Sequence, residues 1–207
     1  MIKDFLLEEY GENEPIFLND LSVEGMSENA VRQSVKRLNN SGFLKRYDKG
    51  IYYIPKQSSV LNQSYLNPNV VIMRKYIENQ GEVFGFITGI SLANQLGITS
   101  QVPAVLDIVT NKEATNGRNV QVGTQKLRIR KPIISVTKNN VAFLQFIDLL
   151  NNVEKYTELD DFQTRSILIA YLRHLKLSKN QLYELAFTLT GAVSKKLIEW
   201  RMIDEFT

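Results

Sequence analysis

The chain has no cysteine, one histidine, one tryptophan and only five prolines among 207 residues. Without thiols there are neither disulfides nor thiolate metal sites, which fits a reducing, cytoplasmic setting. The single histidine, His174, lies in a helical stretch with no serine or carboxylate arranged around it as a triad. A glycine-rich phosphate loop is also missing: Gly81, Gly85 and Gly89 are spaced GxxxGxxxG, which matches neither Walker nor Rossmann spacing. Metal-dependent cleavage needs converging carboxylates, yet Asp107 is followed by Ile108-Val109-Thr110-Asn111-Lys112-Glu113 with no acid-x-lysine pair on a strand beside it. Asp160 and Asp161 are adjacent, so on a helix their side chains diverge by about 100°. The expectation is therefore a non-enzyme, with no catalytic residues, no metal ligands and no cofactor. No long apolar run occurs, and the opening MIKDFLLEEYGENEP carries four carboxylates by residue 12, so neither a signal peptide nor a membrane span is expected. No fixed-period repeat is present.

What the chain does have is apolar material for one or two cores, at 43% hydrophobic, and a net charge of only +3. That charge is unevenly placed. Residues 27–56 hold seven cations against two anions, whereas the first sixty residues sum to −1. The basic stretch is MSENAVRQSVKRLNNSGFLKRYDKGIYYIP, from Met26 to Pro55. Ser27 has the chemistry of an N-cap, and Glu28 places a carboxylate at the positive end of the helix dipole. Val31, Val35 and Leu38, spaced by four and three, make a stripe to be buried, and Gly42 stops the helix with positive φ. The opposite face then presents Asn29, Gln33, Lys36 and Asn40, flanked by Arg32 and Arg37. Phe43 to Tyr47 and Ile51 to Ile54 are rich in aromatic and branched residues, and Asp48-Lys49-Gly50 supplies a turn, so a hairpin with Arg46 and Lys49 at its tip is expected.

A capped helix followed by a basic hairpin describes the reading half of a winged helix-turn-helix. Ile2, Phe5, Leu6 and Glu9 fit a first helix, Ile16-Phe17-Leu18 a third strand of the hairpin sheet, and Asn19 or Asp20 the cap of a small second helix around Leu21. The core would comprise Phe5, Leu6, Phe17, Leu21, Val31, Val35, Leu38 and Ile54. Amides pair bidentately with adenine and lysine with guanine, so Asn29, Gln33 and Lys36 are candidates for base contacts, and Ser27, Arg32, Arg37, Arg46 and Lys49 for phosphate contacts. The partner so expected is double-stranded DNA. The alternative is a protein-interaction module in which Tyr52 and Tyr53 pack a partner and no DNA is bound.

The fold class expected is α+β: a winged helix over 1–57, a polar linker over 58–69, and a second domain over 70–207. In that domain residues 70–136 read as mixed α/β and 140–207 as a helical tail. Helices are expected at Val70 to Glu78 and Thr88 to Leu96, and strands at Glu82 to Phe86, Val105 to Val109, Asn119 to Val122 and Gln125 to Arg130. Lys126, Arg128 and Arg130 alternate with aliphatics, which makes them either solubilising charges, on an exposed sheet or a guarded edge strand, or a second basic surface for nucleic acid or an acidic partner. In the tail, Phe143, Phe146, Ile147 and Leu150 mark one helix and Asp160 to Lys176 a second. Ser178 begins a third, Gly191 separates a fourth, and Trp200 belongs to core or interface.

Two parts of the chain resemble a known family. Val31-Arg32 through Leu38, Gly42-Phe43-Leu44 and Gly50-Ile51-Tyr52-Tyr53-Ile54-Pro55 resemble the winged helix of the antitoxins of AbiE-type (type IV) toxin-antitoxin systems. Ser91-Leu92-Ala93-Asn94-Gln95-Leu96-Gly97-Ile98-Thr99-Ser100-Gln101-Val102-Pro103, followed by Ile108-Val109-Thr110, is similar to the motif that opens their effector domain. The resemblance implies a bacterial transcriptional repressor that binds inverted repeats in its own promoter and counteracts a nucleotidyltransferase-like toxin. A palindromic operator would further imply a homodimer, although no heptad seam marks the pairing surface.

Overall fold

A computed structural model describes residues 2–56 and 65–206. The chain is a mixed α and β protein that divides into two compact units, one of residues 1–74 with 122–124 and the other of residues 75–121 with 125–207. Most of the expected 58–69 linker lies outside the described residues. Helix α3, Pro68–Tyr76, begins two residues before the expected start and contains the division between the units.

The N-terminal unit contains α1 (Ile2–Glu9), β1 (Ile16–Phe17), α2 (Glu28–Asn40), β2 (Lys45–Asp48) and β3 (Ile51–Tyr53). The strands form one antiparallel sheet in the order β1-β3-β2, with Ile16 opposite Tyr52 and Phe17 opposite Ile51. Leu6, Ile16, Leu21, Val31, Val35, Leu38, Leu44 and Ile54 make the core. Ile16 and Leu44 were not among the expected core residues, and Phe5 only packs partly buried against them. No helix forms around Leu21. Residues 18–20 make a turn closed by the Asp20 amide donating to the Phe17 carbonyl at 3.0 Å, and residues 21–23 run without regular structure. The segment is too short to offset the cost of helix nucleation, and its Asn, Asp and Ser side chains compete for the backbone.

The second unit holds a short hairpin of β4 (Glu78–Asn79) with β5 (Glu82–Val83), and a four-stranded sheet of β6 (Gly85–Thr88), β7 (Val105–Thr110), β8 (Arg118–Val122) and β9 (Gln125–Arg130) in the order β6-β7-β9-β8. Strand β6 pairs antiparallel with β7, and β7 pairs parallel with β9. The basic strand β9 is thus interior, and the edges of the sheet are β6 and β8. Leu127 and Ile129 of β9 are both fully buried on a covered face of the sheet. Helix α4, Gly89–Gln95, follows β6 directly. Its first residue has φ of +68°, and a Cβ there would lie 2.7 Å from Asp107 Oδ2, so only glycine lets the chain turn against that carboxylate.

Four helices complete the unit: α5 (Val141–Asn152), α6 (Asp161–Leu175), α7 (Lys179–Glu184) and α8 (Gly191–Glu199). Asp160 caps α6 by accepting from the Gln163 amide at 2.8 Å, and Ser178 and Gln181 form a reciprocal capping box on α7. Gly191 does not separate helices; it is the first residue of α8, capped by the Thr190 hydroxyl. Helix α5 buries Phe143, Leu144, Phe146, Ile147, Leu149 and Leu150. Phe143 meets Phe206 edge-on with centroids 6.5 Å apart. Trp200 packs partly buried against the same core. Among the described residues no helix is long and apolar enough to cross a membrane.

Two carboxylates brace loops in this unit. Glu158 accepts from the Ser100 amide at 2.8 Å, the Ser100 hydroxyl at 2.9 Å and the Gln101 amide side chain at 3.1 Å, and these bonds hold its carboxyl at about 2. Glu113 is likewise held at about 2 by the hydroxyl and amide of Thr115 and by Arg118.

Truncation of the fully buried Phe143 to alanine should cost about 3–5 kcal/mol in chemical denaturation, because the flanking helices cannot close the hole. Because folding depresses both carboxyl pKa values, their contribution is complete above the ordinary glutamate value of 4.5 and lost as pH falls toward about 2. Glu158→Gln should therefore lower stability at neutral pH and flatten the acid limb of a stability-versus-pH curve over that window.

Candidate nucleic-acid interface

The exposed face of α2 follows from the way the helix is anchored. Ser27 accepts the Ala30 amide at 3.3 Å, which sets the first turn. Burial of Val31, Val35 and Leu38 then sets the rotation of the helix about its axis, and each such side chain contributes about 1.5–3 kcal/mol. At the far end Gly42 has φ of +80° and donates to the Asn39 carbonyl at 3.1 Å. The Leu44 amide then reaches the Leu38 carbonyl at 3.1 Å, sending the chain into β2 with Leu44 buried beneath it.

With the stripe inward, Asn29, Arg32, Gln33, Lys36, Arg37 and Asn40 are all exposed. Lys36 and Arg37 have no ion pair among the described residues. Arg32 lies 3.9 Å from Glu28, one turn earlier, with both side chains largely in solvent, so its charge is only weakly occupied. The carboxylate at the start of the helix therefore reaches the flank of a face that otherwise presents amides and cations. Ser27 is exposed, and its hydroxyl serves as the cap while its proton is free to be donated outward.

The β2–β3 hairpin carries the other two candidates. Its two-residue turn is Lys49-Gly50, with the Lys49 amide donating to Asp48 Oδ1 at 2.7 Å and Gly50 at φ of +72°. Lys49 is exposed, without an ion pair among the described residues. Arg46 is exposed but not extended: its Nε donates to the Asp48 carbonyl at 3.2 Å, which lays the guanidinium along the strand. The register shifts between Arg46 and Asp48, a bulge at Tyr47 that turns the end of the hairpin. Tyr53 is 5% exposed, and Tyr52 packs against the core of its own unit. Tyr53 is thus engaged by its own fold, while Tyr52 stays partly exposed.

The second basic surface is smaller than its sequence implies. Along β9 the side chains of Lys126 and Arg128 are exposed, but Arg130 is half-buried and pairs with Asp148 of α5. Asp148 also accepts the Thr88 hydroxyl at 2.5 Å. In the strand register Asp107 lies beside Arg128 and Thr88, on the same face of the sheet. Burial pushes the Asp107 carboxyl up, against the pull of Arg128 and Arg130 and with the help of Asp148. Burial also raises the Tyr156 hydroxyl, which feels both carboxylates. Asp148 forms no motif in the sequence: it is a single acid in VAFLQFIDLLNN, a helix otherwise apolar on most of its circumference, and its partner Arg130 lies on another element.

His174 is exposed in the last turn of α6, and Asp160 is occupied as a cap. Among the described residues no group of three or more His, Asp or Glu is placed to hold a metal ion.

A search of curated proteins finds no match to the chain. The sequence profile of a family described as of unknown function, DUF6088, matches residues 8–175, more than half of the 207, and the chain therefore belongs to DUF6088.

Proposed function

We propose that this protein is a sequence-specific DNA-binding regulator whose N-terminal unit works as a winged helix. The observation that carries the reading is the polar face of α2: six exposed amides and cations, held outward by the buried valine-leucine stripe and followed by a hairpin with an unpaired lysine at its turn. In this reading Asn29, Gln33 and Lys36 meet base edges in the major groove. Arg32, Arg37, Arg46, Lys49 and the Ser27 hydroxyl hold phosphates. The turn at residues 18–20 stands where a helix-turn-helix has its second helix, so positioning on the backbone falls to the cap of α2 and to the hairpin.

The role of the second unit as an antitoxin-like effector rests on the similarity of Ser91 to Pro103 and Ile108 to Thr110 to that family's motif. Under the proposal the protein acts by binding, in the cytoplasm, on its own promoter, as a homodimer where the operator is an inverted repeat. It catalyses no reaction. A nucleotidyltransferase-like toxin is the partner that the similarity points to.

Gln33→Ala should lose about 1–3 kcal/mol on the cognate operator and relax specificity at one base pair, while leaving binding to random DNA unchanged. Equal losses on both DNAs in a mobility-shift titration would remove Gln33 from base reading. Lys49→Ala should weaken all sequences alike and reduce the slope of log affinity against log salt by about one unit. An association that is insensitive to salt, with no shift of the protein's own upstream DNA, would overturn the proposal as a whole.

A further inference from the structure

The N-terminal unit carries an open groove of about 640 Å³ that the duplex reading does not use. Lys45 and Tyr53 stand opposite each other in the β2–β3 register and share one face of the sheet, whereas Tyr52 points the other way, into the core beneath α2. The groove lies along the Tyr53 face. Tyr53 and Leu66, both buried, make its floor, Tyr47 a wall, and Arg46 and the 80% exposed Tyr65 its rim. The volume is within the range of ligand sites, and the groove is open to solvent along its length.

Its lining combines phenol rings with positive charge, and no carboxylate belongs to it. Lys45 has no ion pair among the described residues, and Arg46 spends only its Nε on the Asp48 carbonyl. The Tyr47 hydroxyl is buried against Gly123, a residue of the same unit, without a hydrogen-bond partner among the described residues. That contact at the tip of the ring, with the strand at its base, fixes the ring as a wall. Burial raises the Tyr53 hydroxyl and the Tyr65 hydroxyl adds to the rise, which places those two rings side by side. Ring faces take up flat unsaturated groups by stacking, and the cations require an anion. An inorganic phosphate would leave the rings unused, and an apolar peptide would leave two cations partly desolvated with nothing to neutralise them. A nucleotide brings both parts, a planar base and a phosphate.

We propose that this groove binds a single-stranded polynucleotide, with bases stacked on Tyr47 and Tyr65 and phosphates on Lys45 and Arg46. The inference does not rest on the duplex reading: of the residues assigned to the duplex only Arg46 recurs, and the exposed face of α2 takes no part.

The test is a fluorescence anisotropy titration of the full-length protein with labelled hexathymidylate, hexauridylate, an abasic hexamer of the same charge, and hexaproline. Both hexanucleotides should bind saturably, the tighter one telling whether DNA or RNA is the preferred strand, with the abasic hexamer at least about tenfold weaker because it cannot stack. Tyr65→Ala should weaken the base-bearing probes by about fivefold or more and leave the abasic one unaltered, while Tyr65→Phe keeps the affinity; the side chain stands in solvent, so both variants fold. Lys45→Gln should weaken every anionic probe alike and reduce the slope of log affinity against log salt by about 0.7. Tyr65→Ala should also leave the mobility shift of duplex DNA unchanged, so the two readings fail separately. No saturable binding of either hexanucleotide at millimolar protein, equal affinity for the abasic hexamer, or unchanged affinity in Tyr65→Ala would each overturn the proposal. Binding of hexaproline in place of the hexanucleotides would give the groove to a protein partner and overturn it as well.

Discussion

The burial of three side chains, Val31, Val35 and Leu38, is the constraint on which the N-terminal unit depends. A helix can present any of its faces, and nothing in its backbone hydrogen bonding selects one. The apolar stripe selects it, because rotating α2 by even one residue position would expose a valine or leucine and drive an amide or a cation into the core, where an unpaired polar group costs several kcal/mol. The same burial that stabilises the unit thus aims Asn29, Gln33 and Lys36 at solvent. The positive φ of Gly42 extends this control to the hairpin, since the direction in which the chain leaves α2 sets where the Lys49-Gly50 turn lies within the unit.

The second unit handles its charges differently. Arg130 and Asp148 sit 31% and 20% exposed, on a sheet and a helix packed face to face. Two partly desolvated charges hold in such a place only when each satisfies the other and further hydrogen bonds take up what is left, which is the part played by the Thr88 hydroxyl. The consequence is a site that is polar yet electrically neutral, beside a cleft of branched and aromatic side chains. Asp107, with its carboxyl pushed up by burial and Gly89 turned tightly against it, belongs to the same sheet face. The arrangement couples β6, β7, β9 and α5 through polar contacts as well as through the apolar core.

Membership of a family without assigned function leaves the chemistry of the side chains as the guide to activity. Under the proposal, the face of amides and cations on the capped helix α2 meets the edges and phosphates of a duplex. That reading comes from matching donors, acceptors and charge on one face of the N-terminal unit.

Legibility from sequence followed the range of the interactions involved. The capped helix at Glu28, the hairpin around Lys49, the β9 strand from Gln125 to Arg130 and the helices of the tail were all readable. Their determinants are caps, turns and periodicities spanning a few residues, and such signals lie next to one another in the chain. The segment around Leu21 was misread because turn and short helix share the same capping residues, and only the geometry between β1 and α2 decides between them. The interior position of β9 and the loss of Arg130 from the basic surface were not readable at all. Strand order and the pairing of Arg130 with Asp148, eighteen residues away, depend on which elements meet in three dimensions. By itself the sequence determined the cap and the buried stripe of α2, and with them the amides and charges of that helix that face water. Only the tertiary structure decided which of those exposed charges stay free and which are consumed by a partner, because that choice is made by contacts between elements and leaves no periodic trace along the chain.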